Sequence, residues 1–390
     1  MIKTHKIKMY PNATMRHAIT QLLNYRRFCY NQALETWNAM YDESVLMADK
    51  SLRPNERKVR DELVNNKQDW QFAQSARVLQ LAVHDVAQGW QNFFNPQMPN
   101  HMRPRFKTKK RSKSSFKTDR AQIIDGKLRL DKPRGTSTWY DIRLAEQPRW
   151  QGVLKLVTIV QEADGYYACL VIDVDETEQS KNDQVVTGVD VNVAHFDYKD
   201  ADGYQSVATM NDRLLYLYAQ ITKYQRLLAR KRKANPKHFR SHNYRATRTK
   251  LQRDYQKVTR IQTDLLNKFT AKLVHANDVV AIEDLDNLHM RMNKHLAKNL
   301  HRSLFGQFKQ IMQYKCAWHG VKLVMVDRYY PSTQRCSKCG YIKTDDERVG
   351  LEGNRKHRTG HDEYVCYECD AVMRRDENAV ANLIQYAQQN

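Results

Sequence analysis

The chain of 390 residues contains no uninterrupted apolar run of about 18 residues, the length a membrane-spanning helix needs. Its opening stretch, MIKTHKIKMYPNATMRH, lacks the apolar core of a secretory leader, so the protein is expected to stay where it is made. It has no lipidation motif, no internal repeat and no low-complexity tract. Acids are scarce: 43 Asp and Glu stand against 65 Lys and Arg, a net charge of +22. A neutral partner gives no reason to tolerate such self-repulsion, which points to a polyanion. Basic amphipathic helices with bulky apolar faces are missing too, which disfavours a membrane surface and leaves nucleic acid.

Cysteine is sparse but patterned. Cys29, Cys169 and Cys316 are isolated in apolar or aromatic contexts and are expected to be buried thiols. Cys336 and Cys339, and Cys366 and Cys369, form two Cys-x-x-Cys pairs with 26 residues between them. Without a secretory leader this pattern points to zinc rather than disulfides, in a closed tetrahedral site with no open position for chemistry. The long intervening segment must loop out. The second pair lies just before a lone acid, Asp376, that opens an amphipathic stretch.

Periodicity separates several segments. Residues 14–96 read as helices, with Ile19, Leu23, Leu34 and Trp37 near one face. Residues 101–120 hold nine Lys or Arg and one Asp with Phe106 and Phe116 interleaved, a basic loop or edge strand. From 121 to 175 the period falls to about two, and Asp164-Gly165 marks a hairpin in a small β domain. Residues 176–184 read as a polar linker. Strands at 184–208, a basic helical region at 212–276, a strand at 279–285, helical sequence through Trp318, a strand at 321–327 and a final helix describe a mixed α/β layer. Between Thr222 and Arg260 there are fourteen Lys or Arg and a single acid, Asp254, which a merely solvated helix would not require.

Three acids stand at strand ends or at a helix start: Asp190 in GVD, Glu283 in AIED and Asp376 in RRDEN. Ligands gather at the carboxyl ends of strands in α/β sheets. Three carboxylates converging there would hold Mg²⁺ or Mn²⁺ for phosphodiester hydrolysis. Their order, Asp, Glu, Asp, fits a ribonuclease H-like fold. If the cysteine segment is an insertion between the last strand and the last helix, metal binding helps to fix where that helix starts, and Asp376 is placed by both.

These residues resemble the TnpB family, transposon-encoded RNA-guided nucleases related to type V CRISPR effectors. The resemblance runs through YRRFCYNQAL at 25–34, RPRFK at 103–107, GVDVN at 188–192, AIEDL at 281–285, QYKCAWHGVKLVMVDRYYPSTQRCSKCG at 313–340 and the terminal CYEC through DENAVANL. It implies a multidomain α/β chain: a β-barrel-like wedge domain at 1–12 and 101–178, a helical recognition lobe at 13–100, a RuvC-like nuclease core at 184–331 and 373–390, and a zinc-knuckle insertion at 332–372 that binds target nucleic acid. It further implies that Asp190, Glu283 and Asp376 are catalytic magnesium ligands and that Cys336, Cys339, Cys366 and Cys369 are zinc ligands. The implied partners are a guide RNA and target DNA, double- and single-stranded, held by a monomeric ribonucleoprotein, or a dimer, in the nucleoid of a prokaryotic cytoplasm. The basic residues expected at nucleic acid are Arg103, Arg105, Lys107, Lys109, Lys110, Arg111, Arg230, Lys231, Arg232 and Lys233.

Three positions depart from the family pattern: Asn192, where Gly is common; Arg374, where the third motif often has Asp; and Asp370, where Gly commonly follows the last Cys. A guided repressor without cleavage, a compact CRISPR effector and a DDE transposase are the rival functions. The intact acids disfavour the first, and the Asp, Glu, Asp order with its zinc insertion disfavours the last.

Overall fold

The computed structural model describes residues 1–110, 112–131, 139–175, 184–192, 194–284, 304–350, 353–354 and 356–390. Arg111, residues 176–183 of the expected linker, and 285–303, the last residue of the expected strand and the first part of the helical stretch after it, lie outside them. The chain divides into two compact units, Met1–Glu176 and Thr177–Asn390. Among the described residues no helix is long and apolar enough to cross a membrane.

The first unit starts with β1 (Ile2–Tyr10), continues through α1 (Ala13–Leu46), α2 (Glu56–Asn65) and α3 (Ala76–Phe94), and ends in six strands. These are β2 (Ser115–Thr118), β3 (Gln122–Ile124), β4 (Lys127–Leu130), β5 (Tyr140–Leu144), β6 (Val153–Glu162) and β7 (Gly165–Asp173). Asn12 caps α1 by accepting the Met15 N–H at 2.9 Å, which satisfies an otherwise orphaned donor of the first turn. The helices' apolar faces, with Ile19, Leu34, Leu79 and Val83, share one core with Ile7, Leu128 and Ile159 of the strands. The strand order is β2-β6-β7-β1-β5-β4-β3, and β6 and β7 form the hairpin expected at Asp164-Gly165. The expected barrel-like closure is not found among the described residues. Among the described residues the sheet is open, because its outer strands β2 and β3 pair with β6 and β4 and not with each other.

The second unit is built on a five-stranded sheet of order β10-β9-β8-β11-β12. Its strands are β8 (Val186–Val191), β9 (His195–Asp200), β10 (Gly203–Ala208), β11 (Val279–Glu283) and β12 (Lys322–Val326). β8, β11 and β12 are parallel, β9 runs antiparallel to β8, and β10 runs antiparallel to β9. Helices α4 (Asp212–Ala234) and α5 (His242–Ala276) follow β10, α6 (Phe305–His319) precedes β12, and α7 (Arg375–Gln389) ends the chain.

The period of two along the strands decides what each face meets. Val189, Val191, Val280 and Ile282 pack with Phe269 of α5 and Phe308 of α6. On the other face, Val279 and Ala281 pack with Leu383 and Ala387 of α7. Gly188 belongs to that face, and α7 crosses it closely: a Cβ there would stand 2.7 Å from the Leu383 Cβ and 2.8 Å from the Val380 carbonyl oxygen. The GVD motif therefore carries two requirements, no side chain at 188 and a carboxylate two residues on. Gly188→Ala is expected to lower stability by about 1–3 kcal/mol through overpacking and to displace the start of α7. Thermal melting beside wild type checks this, and an unchanged melting temperature would mean that α7 yields freely.

Candidate metal centres and basic segments

The three acids expected from sequence are brought to one place. β8 and β11 pair with Val189 opposite Ile282, so Asp190 and Glu283 follow side by side at the carboxyl ends of parallel strands. Asp376 enters from the first turn of α7, where the helix dipole favours negative charge. Burial is the main cause that pushes the Asp190 carboxyl well above its ordinary range, and the Glu283, Asp376 and Asp197 carboxylates add to it. Burial also raises Glu283, partly offset by the hydrogen bond it accepts from the Ser332 hydroxyl. Divalent Mg²⁺ or Mn²⁺ fits this set, since hard oxygen donors on three separate elements converge and a cation would relieve their repulsion.

Three further residues at this centre, Asp197, His195 and Ser332, escaped the sequence reading, and a fourth, Asn192, stood out in it only as a departure from the family pattern. Asp197 of β9 lies directly opposite Asp190 in the β8–β9 register and is only 6% exposed. His195 Nε2 stands 3.1 Å from Asp197 Oδ2 and 3.3 Å from Asp376 Oδ2. The Asn192 side-chain amide donates to Asp190 Oδ2 at 3.0 Å and to Asp197 Oδ2 at 3.2 Å, so the departure from Gly places a clamp between two acids. Ser332, buried, holds Glu283. A signal for the first two was present in HFDYKD: Phe196 and Tyr198 are the apolar members of the alternation, which sends His195 and Asp197 to the acid face.

The four cysteines gather as expected. Cys336 Sγ lies 3.8 Å from Cys369 Sγ, and Cys339 Sγ lies 3.6 Å from Cys366 Sγ. Disulfide sulfurs stand about 2.05 Å apart, whereas Zn–S bonds of about 2.3 Å in a tetrahedron put sulfurs about 3.8 Å apart. The thiols thus fit zinc. Burial opposes the Cys336 thiolate, yet hydrogen bonds from the Cys339 and Lys338 N–H groups and from neighbouring thiols win and draw it down to about 7. Each pair is followed by a left-handed residue, Gly340 at φ 82° and Asp370 at φ 54°. Asp is among the few side chains that tolerate this region, which explains its presence where Gly is usual.

The knuckle and the acids are joined through α7. Asn378 and Asn382, both fully buried, donate to the Arg335 carbonyl at 2.7 Å, and Asn382 also donates to the Ser332 carbonyl at 2.8 Å. Asn378 Oδ1 accepts the Ser337 N–H at 2.9 Å. The loop carrying the first cysteine pair is therefore tied to the helix that the second pair precedes, and its Ser332 reaches Glu283. This is why half of a metal site stands at the start of a helix bearing one aspartate.

The basic candidates fall into two groups. Arg105, Lys109, Lys110, Arg230 and Lys233 are exposed. Arg103 and Arg232, also exposed, lie over the Trp90 and Phe239 rings at 5.2 and 5.5 Å, and Lys231 donates to the Asn243 carbonyl and the Thr247 hydroxyl, both at 3.0 Å. Lys107 differs: its ammonium sits 3.4 Å from the centre of the Tyr30 ring, and Asn31 bonds both its N–H and its carbonyl. Burial, then the Arg26 guanidinium, lower its pKa from 10.5 to about 7. Below pH 7 the ammonium is charged in folded and unfolded chains alike and its burial cost is fully present. As pH rises from about 7 toward 10.5 only the unfolded chain stays protonated, so stability rises. Lys107→Met is therefore expected to raise the melting temperature most at pH 6, with the gain fading toward pH 10. A gain independent of pH would contradict a buried charge.

Three family profiles match separate parts of the chain. Residues 1–44 match a helix-turn-helix domain of the OrfB_IS605 group, 169–294 an OrfB_IS605 family described as a probable transposase, and 305–383 a Cas12f1-like TNB domain. In this chain 1–44 form β1 and most of the single helix α1. A Streptomyces pristinaespiralis protein provisionally named RNA-guided DNA endonuclease is 27% identical over 387 residues, 98% of this chain and 88% of that protein. A provisionally named RNA-guided DNA endonuclease of Mycobacterium tuberculosis is 27% identical over 152 residues, 37% of this chain and 30% of that protein. Among solved structures, a Cas12f1–sgRNA–target DNA complex matches 98% of this chain and 98% of that chain with a TM-score of 0.55 at 13% identity, a likeness of fold.

Proposed function

Because the chain belongs to the TnpB-like family, we propose that it is an RNA-guided DNA endonuclease. The observation that carries this reading is the convergence of Asp190, Glu283 and Asp376 on one sheet face, with the four-cysteine knuckle tied through Asn378 and Asn382 to the helix bearing Asp376. In this reading the second unit is a RuvC-like core interrupted by a zinc knuckle over 332–372, and the first unit combines recognition helices with the wedge sheet.

Asp190, Glu283 and Asp376 would hold Mg²⁺ or Mn²⁺, with Ser332 fixing the Glu283 carboxylate. Bound there, divalent cations supply activation of a water and stabilisation of the leaving oxygen of a phosphodiester. Cys336, Cys339, Cys366 and Cys369 would hold zinc in a structural role, with all four positions taken by thiolates. Base pairing between guide and target would supply sequence specificity, and the protein would hold the duplex through its backbone.

The exposed basic residues would then contact phosphates. Neutralising Lys109, Lys110, Arg232 and Lys233 together is expected to flatten the slope of log affinity against log salt by roughly 0.7–0.9 per lost contact, without altering the preferred DNA sequence. An unchanged slope would show that these charges face solvent. Sequencing the RNA that co-purifies with the chain tests the reading itself. A discrete species is expected, its origin in a transposon end or in a repeat array separating a TnpB-like guide from a CRISPR one. A chain that purifies free of RNA and binds none would contradict it.

A further inference from the structure

The acid centre is larger than three carboxylates. The β8–β9 register sets Asp197 opposite Asp190, and the alternation along β9 sets His195 on the same face. One ligand atom from each of His195, Asp197 and Asp376 lies within 4.8 Å of the others, a spacing a single cation can bridge with bonds slightly over 2 Å. Asn192 ties Asp197 to Asp190 by donating to one oxygen of each, which leaves each acid a second oxygen. A cavity of about 30 Å³, lined by Asp197, Asp376 and Glu377 together with Arg374, Tyr204 and Val380, has room for a water or a small ion.

We propose that Asp197 and His195 are further ligands of the divalent-cation centre formed by Asp190, Glu283 and Asp376, and that the His195 nitrogen makes this centre favour Mn²⁺ over Mg²⁺. The proposal rests on the nuclease reading for the presence of a cation there. Mg²⁺ takes oxygen ligands and gives up its waters reluctantly, whereas an imidazole nitrogen raises affinity for first-row transition ions. Asp197 adds a carboxylate that serves either ion. The rival arrangement makes His195 only a counter-ion lying between two carboxylates, which an entering cation would displace. The two arrangements predict opposite effects of removing the ring: a lost ligand weakens Mn²⁺ binding, and a lost competitor strengthens it.

The test uses the full zinc-loaded chain freed of RNA, with Mn²⁺ and Mg²⁺ binding measured by calorimetry and the Mn²⁺ environment by pulsed electron paramagnetic resonance. An Asp190→Ala chain supplies the background for ions bound elsewhere. Wild type is expected to show nitrogen hyperfine coupling on Mn²⁺. His195→Ala should lose that coupling and bind Mn²⁺ about tenfold or more weakly, with Mg²⁺ affinity changed by less than about threefold. Asp197→Asn should weaken both ions by about tenfold. If His195→Ala fails to fold, His195→Asn keeps a polar group at the position and must give the same loss of coupling. No nitrogen coupling in wild type, or unchanged or tighter Mn²⁺ binding in the His195 variant, overturns the proposal while leaving the nuclease reading intact. Wild type that binds no more Mn²⁺ than Asp190→Ala overturns both.

Discussion

Asp190→Asn is expected to abolish DNA cutting in Mg²⁺ while guided DNA binding stays nearly unchanged. The substitution keeps the size of the side chain and removes the charge that a hard divalent cation needs. Loss of a group that merely orients a metal ligand already costs about 10- to 100-fold, so loss of the most buried of the converging carboxylates should cost more. Binding is expected to survive because neither guide pairing nor the proposed basic contacts involve this carboxylate. The same substitution should stabilise the metal-free protein. The Asp190 carboxyl is raised above its ordinary 3.8 by burial first and by neighbouring acids next. A carboxyl raised in the folded state leaves stability intact below its unfolded pKa, and that stability is lost as pH rises through the folded value. The metal-free variant should therefore melt above metal-free wild type at neutral pH, the two converging as pH falls toward 4. Cutting at the wild-type rate by Asp190→Asn would remove this residue from the mechanism. Loss of both binding and cutting would point to misfolding.

Cys366→Ser, or thorough chelation of zinc, is the other change with a large expected effect. Apparent zinc-binding free energies of about 10–16 kcal/mol in small zinc modules set an upper bound on what the ion contributes to folding. Among the described residues the apolar core of the knuckle is small, with Cys336, Tyr364, Cys366 and Ala371 as its buried members, so zinc is expected to supply much of its cohesion. Its loss should spread, because Asn378 and Asn382 bind the loop that also supplies Ser332 to Glu283. The expected result is zinc content near zero, faster hydrogen exchange in the first turns of α7 and loss of cutting, although no cysteine is among the acid ligands. A zinc-free chain with protected α7 amides and full cutting would show that the knuckle and the nuclease centre are independent.

Much of the second unit was legible in the sequence, because buried strands read as short apolar runs and acids terminate two of them. The strand bearing Glu283 and the helix bearing Asp376 are found as expected, and the cysteine spacing anticipated a four-thiol cluster. The first strand was harder. In IKTHKIKMY the buried face carries Lys3 and His5 as well as Ile7 and Met9, so polarity hides the alternation, and only the family resemblance assigned 1–12 to a β domain. Lys3 is accommodated over the Trp150 ring, and His5 meets the same ring edge-on. Whether a sheet closes depends on pairing between strands far apart in sequence, which composition does not encode, so the open edges at β2 and β3 were not foreseeable. Asp197 and His195 were missed for another reason: the reading followed acids at strand ends, and these two lie inside and at the start of a neighbouring strand whose register only the structure supplies.

The central claim is that an RNA bound by this chain chooses where DNA is cut. Its most direct test is a plasmid cleavage assay in Mg²⁺ with purified ribonucleoprotein, in which the guide segment of the co-purifying RNA is replaced by two unrelated sequences. Each ribonucleoprotein is expected to linearise only the plasmid matching its own guide, with the cut moving with the matched sequence and Asp376→Ala removing cutting from both. Cutting at the same place whatever the guide, or no cutting by wild type with either guide, would contradict the claim.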